Sequence, residues 1–129
     1  MKKNKKILIV YSTYNDTHLL LSNAIKELNK RNQKYKVLKV PGAFEIPVAI
    51  VRKINKYDGF IAIGSIIKGE TPNFDYISNS ITNAIMHLSI TFKKPIGNAI
   101  LTCLNNIQVK KRYGKGKEAV DAVCDVLDG

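Results

Sequence analysis

The sequence predicts an α/β fold, a three-layer sandwich in which helices cover both faces of a four-stranded parallel sheet. Three observations support this prediction. Short apolar runs rich in β-branched residues, such as residues 7–11 (ILIVY), are typical of strands buried on both faces. Longer segments with apolar residues at helical spacing separate these runs. Strand and helix alternate along the chain, which implies right-handed crossovers between parallel strands.

Each element has its own signal. Asp16 or Thr17 can cap the first helix, and Pro47 fits only in the first turn of the second, where its missing N–H costs nothing. Gly97 and Asn98 are expected to interrupt a short fourth strand, and residues 114–116 are expected to form a flexible link between the two closing helices. The predicted strands are residues 7–11, 36–40, 60–67 and 96–102, and the helices after the first are 45–57, 74–92, 105–112 and 117–127.

The length and composition favour one globular domain covering residues 1–129. The chain has 45% hydrophobic and 24% charged residues, a balance typical of a protein with a single core. No apolar run approaches the roughly 20 residues of a membrane-spanning helix. The apolar part of the N-terminus is shorter than the roughly 7–15 residues of a signal peptide. We therefore interpret the start as a basic tail before the first strand and expect a cytoplasmic protein with no membrane partner.

Cysteine and histidine are too few and too scattered to predict a metal site. Cys103 and Cys124 form no Cys-x-x-Cys pair, so reduced thiols are expected. His18 and His87 have no cysteine or glutamate at ligand spacing. The sequence predicts neither a metal nor a cofactor.

The net charge of +11 is compatible with several kinds of partner. A nucleic acid, a membrane surface or an anionic substrate would each favour such a charge. The lysines are scattered, however, and neither an RNA-recognition signature nor zinc-finger spacing is present. We interpret the charge as that of a solvated surface. The hypothesis of a nucleic-acid partner is supported by the net charge alone.

The chemistry is expected where the strands end, because parallel sheets bind ligands outside the carboxyl ends of their strands. The first strand is followed by Ser12-Thr13-Tyr14-Asn15, the second by residues 41–45 (PGAFE) and the third by GETPNFDY within residues 64–79. Gly69, Glu70 and Thr71 precede a helix and could bind a phosphate through N–H groups and a hydroxyl. The alternative is a simple turn with a capping threonine. Neither a P-loop pattern nor a dinucleotide-binding glycine pattern is present.

Two long motifs at these strand ends resemble the lumazine synthase family. They are residues 40–47 (VPGAFEIP) and residues 64–76 (GSIIKGETPNFDY). The resemblance runs from about Lys6 to the C-terminus. It includes Tyr14-Asn15-Asp16 and Lys115-Gly116-x-Glu118-Ala119, and it implies a flavodoxin-like strand order.

The resemblance implies a specific reaction without metal or organic cofactor. 5-Amino-6-(D-ribitylamino)uracil condenses with 3,4-dihydroxy-2-butanone 4-phosphate to give 6,7-dimethyl-8-ribityllumazine, phosphate and water. It also implies a homo-oligomer, either a pentamer or a capsid of pentamers, and riboflavin synthase as a downstream partner. Since few residues precede the first strand, a free pentamer is expected.

The resemblance also implies roles for individual residues. Tyr14 would lie against the pyrimidine, and Ser65, Ile66 and Ile67 would present backbone groups to its edge. The ribityl chain would be held by residues after the second strand, and the phosphate by residues at two helix ends. These are Ala43, Phe44 and Glu45 for the ribityl chain, and Glu70, Thr71 and Arg112 for the phosphate.

Three positions depart from the family pattern. Asn73 stands where the family has its proton-transferring histidine, and asparagine cannot titrate near neutral pH. Asn98 stands where many members have an aromatic residue, supplied by a neighbouring subunit, and its amide could contact the uracil. The link after Arg112 is shorter than in the family, so the alignment of Arg112 has alternatives. Lys110, Lys111 or Lys115 could bind the phosphate instead.

Asn73 and Asn98 motivate an alternative function, a lumazine- or flavin-binding homologue with reduced or no turnover. A receiver domain shares the architecture but needs a cluster of acidic residues after the first and third strands. Asp16 and Glu70 do not supply one. The condensation remains the leading hypothesis.

Overall fold

A computed structural model describes residues 5–70 and 73–129, apart from the side chain of Glu70. Strands and helices alternate as predicted until two helices close the chain. A short 3-10 turn at Ala43–Glu45 precedes the second helix, and another at Lys68–Glu70 follows the third strand. The elements are β1 (Lys6–Ser12), α1 (His18–Lys30), β2 (Lys34–Val40), α2 (Ile46–Arg52), β3 (Gly59–Ile67), α3 (Phe74–Phe92), β4 (Ile96–Cys103), α4 (Asn106–Lys111) and α5 (Lys115–Asp128).

The four strands form one parallel sheet in the order β2-β1-β3-β4. This order places the chain's first strand beside its third, which is the flavodoxin-like arrangement that we predicted. All nine residues of β3 are buried, because β3 has a strand on each side and helices on each face. Accessible polar groups are therefore found in the loops at the ends of the strands.

Side chains along each strand alternate between two separate cores. Ile7 and Ile9 of β1 pack on the face covered by α1, α4 and α5. Leu8 and Val10 pack on the opposite face, under α2 and α3. Ile7, Ile9 and Val10 are fully buried, and Leu8 is 2% exposed. Helices on both faces confirm the predicted three layers.

The second helix ends earlier than predicted. α2 stops at Arg52 rather than at residue 57. Its end tightens through bonds between residues three apart, from the Lys53 N–H to Ile50 and from the Ile54 N–H to Val51. Asp58 must also reach β1, where its carboxylate accepts the Lys6 N–H at 2.8 Å. The chain must therefore leave the helical path before Asp58 in order to make this long-range contact.

The predicted interruption of the fourth strand is wrong. β4 runs without a break through Gly97 and Asn98 and pairs with β3 over its whole length. Gly97 serves close packing, because a Cβ there would lie 2.5 Å from the Ala119 carbonyl oxygen of α5. The glycine lets α5 lie directly on the sheet.

The predicted flexible link before the last helix is also wrong. α5 already begins at Lys115 and includes Gly116. Gly116 is buried, and a Cβ there would overlap the Leu20 carbonyl oxygen of α1. The glycine therefore marks the point where two helices touch, and the Lys117 N–H donates to Asn23 Oδ1 beside it at 2.6 Å.

Charged side chains join α1 to α5 at the surface. Arg31 donates to Glu27 at 2.9 Å and to Asp121 at 2.7 Å, and Lys117 donates to Asp121 at 2.8 Å. The hydrogen bond from Lys117, and then that from Arg31, lower the pKa of Asp121 against the opposing effect of burial. Among the described helices, none is long and apolar enough to cross a membrane.

Gly116→Ala should destabilise the protein by roughly 1–3 kcal/mol, because the added methyl group must push α5 away from α1. This cost exceeds the roughly 1 kcal/mol by which alanine favours a helix over glycine. Urea unfolding measures the difference. Gly114→Ala is the matched control, since nothing lies within 4 Å of its Cβ position. Equal stability of the two variants would contradict the close contact.

Asp121→Asn should lower the free energy of unfolding by about 1 kcal/mol at pH 7, as for an exposed charge network. Because the folded-state pKa of Asp121 lies below its unfolded value, its stabilisation is complete above the unfolded pKa of about 3.9. The stabilisation is lost as the pH falls through the folded pKa. Unfolding curves of wild type and variant should therefore converge in acid. Asp125→Asn, on the same helix, is the control.

Candidate functional site

A cleft of about 150 Å³ lies at the carboxyl ends of β1 and β3. Its walls come from the loop after β1 and the turn after β2, and its floor comes from the end of β3. Ile77 closes it from the first turn of α3. The lining residues are Tyr14, Asn15, Gly42, Ala43, Phe44, Ser65, Ile66, Ile67 and Ile77.

The two aromatic residues of the cleft face solvent, whereas its floor is buried. Tyr14 is 74% exposed and Phe44 is 64% exposed. Ser65, Ile66 and Ile67 are between 5% and 7% exposed. Two accessible rings beside an apolar floor suit a flat heteroaromatic ligand, which stacks on ring faces.

The loop after β1 is held on both sides. Tyr14 donates its N–H to the Pro41 carbonyl at 2.8 Å, and the Thr13 N–H donates to Val40 and Pro41. On the other side Asn15 Nδ2 donates to the Ser65 carbonyl at 3.1 Å. These bonds tie the ends of β1, β2 and β3 together and fix the backbone of the cleft.

The turn after β2 is folded by its own glutamate. Glu45 Oε1 accepts the Gly42 N–H at 2.9 Å, which closes the 3-10 turn and keeps Ala43 buried. The Glu45 carboxylate therefore lies beside the cleft with one oxygen bound to the backbone. Glu45 itself is not among the lining residues.

Ser65 enters the cleft mainly through its backbone. Alternation along β3 places its side chain on the same face as Ile63 and Ile67, which pack against the α1 and α5 layer. Its hydroxyl oxygen is buried and has no hydrogen-bond partner within residues 5–70 and 73–129. Ile66 faces the other way, toward α2 and α3.

The start of α3 is described only in part. Thr71 lies outside the described residues, and so does the side chain of Glu70. Asn73 is the exposed N-cap residue of α3, which extends for 19 residues. A helix of this length directs its positive dipole end toward the edge of the sheet where the cleft lies.

Arg112 does not lie at the cleft of its own chain. It ends α4, and its Nη1 lies 4.0 Å from Cys103 Sγ on the α1 and α5 side of the sheet. Burial raises the pKa of the Cys103 thiol, and the nearby Arg112 charge partly opposes this. Arg112 lines a separate cavity of about 390 Å³ together with Lys111 and Lys115.

Asn98 is also distant from the cleft of its own chain. It pairs with Ala62 in the middle of the sheet, whereas Ile66 at the cleft pairs with Thr102. Four residues of strand correspond to about 13 Å. Asn98 is exposed on the edge strand, and its Oδ1 accepts the Ile100 N–H at 2.9 Å.

Three residues that line the cleft were assigned no individual role from the sequence: Asn15, Gly42 and Ile77. Asn15 had a usable signal, since it directly follows a buried strand at the edge where parallel sheets place their ligands. Ile77 looked like any other core residue of an amphipathic helix. No group of three or more potential metal ligands occurs among the described residues.

A larger cavity, of about 430 Å³, lies at the opposite edge of the sheet beside Lys93, Lys94 and Pro95. It adjoins the amino end of β4 rather than the carboxyl ends. Parallel sheets place their ligands at the carboxyl ends. The smaller cleft is therefore the better candidate.

Known proteins match almost the whole chain. The family model described as 6,7-dimethyl-8-ribityllumazine synthase matches residues 4–128. The synthase of that name from Agrobacterium fabrum is 38% identical, covering 87% of this chain and 81% of its own. The one from Aliarcobacter butzleri is 32% identical, covering 99% and 90%. The one from Buchnera aphidicola is 36% identical, covering 98% and 88%.

Similarity to solved structures is weaker. A de novo designed Rossmann-fold protein overlaps with a TM-score of 0.47 at 14% identity, covering 88% of this chain and 98% of that one. This overlap adds nothing to the fold described above. The sequence matches, by contrast, extend through the loop after β1, the turn after β2 and the start of α3. The chain belongs to the 6,7-dimethyl-8-ribityllumazine synthase family.

Proposed function

We propose that this chain condenses 5-amino-6-(D-ribitylamino)uracil with 3,4-dihydroxy-2-butanone 4-phosphate, giving 6,7-dimethyl-8-ribityllumazine, phosphate and water. The observation that carries the proposal is the family match over residues 4–128. The cleft supports it, because its lining combines exposed aromatic rings with a buried strand end. The chain is a transferase of riboflavin biosynthesis, and residues 1–129 act as one domain.

The pyrimidine would lie in the cleft against Tyr14, over the floor formed by Ser65, Ile66 and Ile67. The ring of Tyr14 is exposed and its backbone is fixed, so that stacking orders only the side chain and not the loop. The ribityl chain would extend along Ala43 and Phe44 toward Glu45. The carboxylate oxygen of Glu45 that does not accept the Gly42 N–H would bind its hydroxyl groups.

The phosphate would bind where α3 begins. By the family resemblance, Glu70 and Thr71 would supply backbone N–H groups and a hydroxyl, and the dipole of α3 favours an anion. Arg112 would add a forked guanidinium, which suits a phosphate. Because Arg112 and Asn98 are both remote from the cleft of their own chain, they would serve the cleft of a neighbouring copy. This requires a homo-oligomer, for which we propose a pentamer.

The reaction begins with attack of the pyrimidine amine on the ketone, which forms a C–N bond and expels water. Elimination of phosphate then leaves an enol, which tautomerises to a methyl ketone. The ribityl-bearing amine adds to this carbonyl and expels a second water, which closes the ring. Asn73 can hydrogen-bond to the reacting groups but cannot carry the proton. Holding both substrates at contact distance would therefore supply much of the acceleration. We place the enzyme in the cytoplasm, with riboflavin synthase consuming its product.

The purified protein mixed with both substrates should form the lumazine chromophore faster than the uncatalysed mixture. Its rate should show no inflection near pH 6–7, where a free histidine titrates, since Asn73 replaces the titrating group. A rate equal to the background would refute the condensation. Tight binding of the pyrimidine without turnover would identify a lumazine- or flavin-binding protein instead.

Asn73→His should raise kcat by at least about tenfold, because a positioned acid–base group typically contributes 10²–10⁴ in rate. The variant should also gain an inflection near pH 6–7. Asn79→His, exposed on the same helix, is the matched control and should change neither. If both variants match the wild type, proton transfer at this position does not limit the reaction.

Tyr14→Ala should raise the KM of the pyrimidine about tenfold, which corresponds to about 1.4 kcal/mol of lost stacking. The KM of the phosphorylated ketone should change little. Phe92→Ala removes a partly exposed ring at the far end of α3, roughly 27 Å along the helix from Phe74, and provides the control. Equal KM values in the two variants would place the pyrimidine elsewhere.

A further inference from the structure

We propose that Asn15 is a positioning residue, whose side-chain amide holds Tyr14 over the cleft by joining the loop after β1 to the end of β3. This inference rests on the proposed function, because it assigns Asn15 a part in pyrimidine binding. Asn15 is 9% exposed, and its Nδ2 lies 3.1 Å from the Ser65 carbonyl oxygen. A buried amide bonded across 50 residues of sequence fixes two segments relative to each other.

The position of this bond shows why a side chain is needed. The backbone pairing of β1 with β3 ends at Tyr11 and Ile63. Beyond that point the chain of β1 turns away toward α1, and Ser65 continues β3. The Asn15 amide bonds to β3 two residues past the last pair, at the floor of the cleft.

The loop is held differently on its other side. There the pairing of β1 with β2 ends at Ser12 and Val40, and backbone bonds from Thr13 and Tyr14 to Pro41 continue it. Those bonds do not involve the Asn15 side chain. Loss of the amide should therefore leave the loop attached to β2 but free to shift relative to β3.

Such a shift would act on binding rather than on the chemical step. Tyr14 directly precedes Asn15, so the backbone that carries its ring would lose its fixed position relative to the floor of the cleft. The Ser65 carbonyl would also lose the hydrogen bond from Asn15 and would be free to accept one from an N–H group of the ligand in a changed orientation. The KM of the pyrimidine should rise, while kcat at saturation should stay near that of the wild type.

Asn15→Asp gives a test with a built-in switch. The protonated carboxyl can donate its O–H to the Ser65 carbonyl. The ionised carboxyl has no proton to donate, so its oxygen and the carbonyl oxygen repel each other. Burial favours the neutral form, so the switch should lie above the usual carboxyl value of about 3.9. The KM of the pyrimidine, divided by the wild-type KM at each pH, should be near 1 in acid. It should rise to about 10 above the switch, the ratio for one hydrogen bond.

Asn15→Ala should raise the same KM about tenfold at every pH, because it cannot donate in any protonation state. Asn29→Asp, exposed on α1, is the control for the added charge and should match the wild type. A purely structural role would lower the melting temperature but leave the KM ratio of Asn15→Asp independent of pH. That result, or a loss of kcat with unchanged KM, would overturn the proposal.

Failure of the proposed function is distinguishable from failure of this inference. If the wild type forms no lumazine, the condensation is refuted, and calorimetry of the pyrimidine alone then replaces kinetics. A pH-dependent loss of affinity in Asn15→Asp would still support the role of Asn15. Equal affinity of wild type and variant across the pH range would overturn it.

Discussion

The burial of the sheet on both faces is the constraint on which the rest of the structure depends. Every residue of β3 is enclosed, and neighbouring residues of β1 pack into different cores. Unpaired polar groups are costly in such an interior. They therefore collect where the strands end, and three of those ends meet at one edge. The cleft exists because the polar backbone of these ends must be bonded across loops, by Asn15 and Glu45 among others.

The sequence was most informative where local pattern decides the structure. Apolar runs, and an alternating run at residues 36–40, identified all four strands. Apolar spacing, with the Lys93-Lys94-Pro95 break after it, predicted the range of α3. It failed where distant segments decide. α2 ends early because Asp58 bonds to Lys6, and Gly97 and Gly116 permit close packing rather than flexibility. A glycine in a turn and a glycine beneath a helix look the same in a single sequence.

The site residues predicted from the sequence also fall into two groups, those that the fold of one chain brings together and those that it keeps apart. Most of the predicted pyrimidine and ribityl ligands meet in one cleft, because the strands that carry them are neighbours in the sheet. They are Tyr14, Ala43 and Phe44 of the loops after β1 and β2, and the three residues that end β3. Arg112 and Asn98 were predicted for the same kind of site but do not line this cleft: Arg112 lies beside Cys103 on the α5 side of the sheet, and Asn98 lies in the middle of β4. Motifs identify which residues belong to one kind of site, whereas the fold decides which of them a single chain can bring together. Asn15 shows the reverse case, since its importance appears only in its bond to Ser65.

The contact between α1 and α5 has a consequence for synthesis of the chain. Ile7 and Ile9 of the first strand are covered partly by Val120 and Val123, more than a hundred residues later. Gly116 fits against Leu20 only when the last helix has formed. Until α5 has formed, the part of this face that α5 covers stays exposed beside α1 and α4, and long-range contacts of this kind slow folding. The native state should therefore form only once α5 is available to dock, and until then the apolar surface that α5 covers is a site of aggregation.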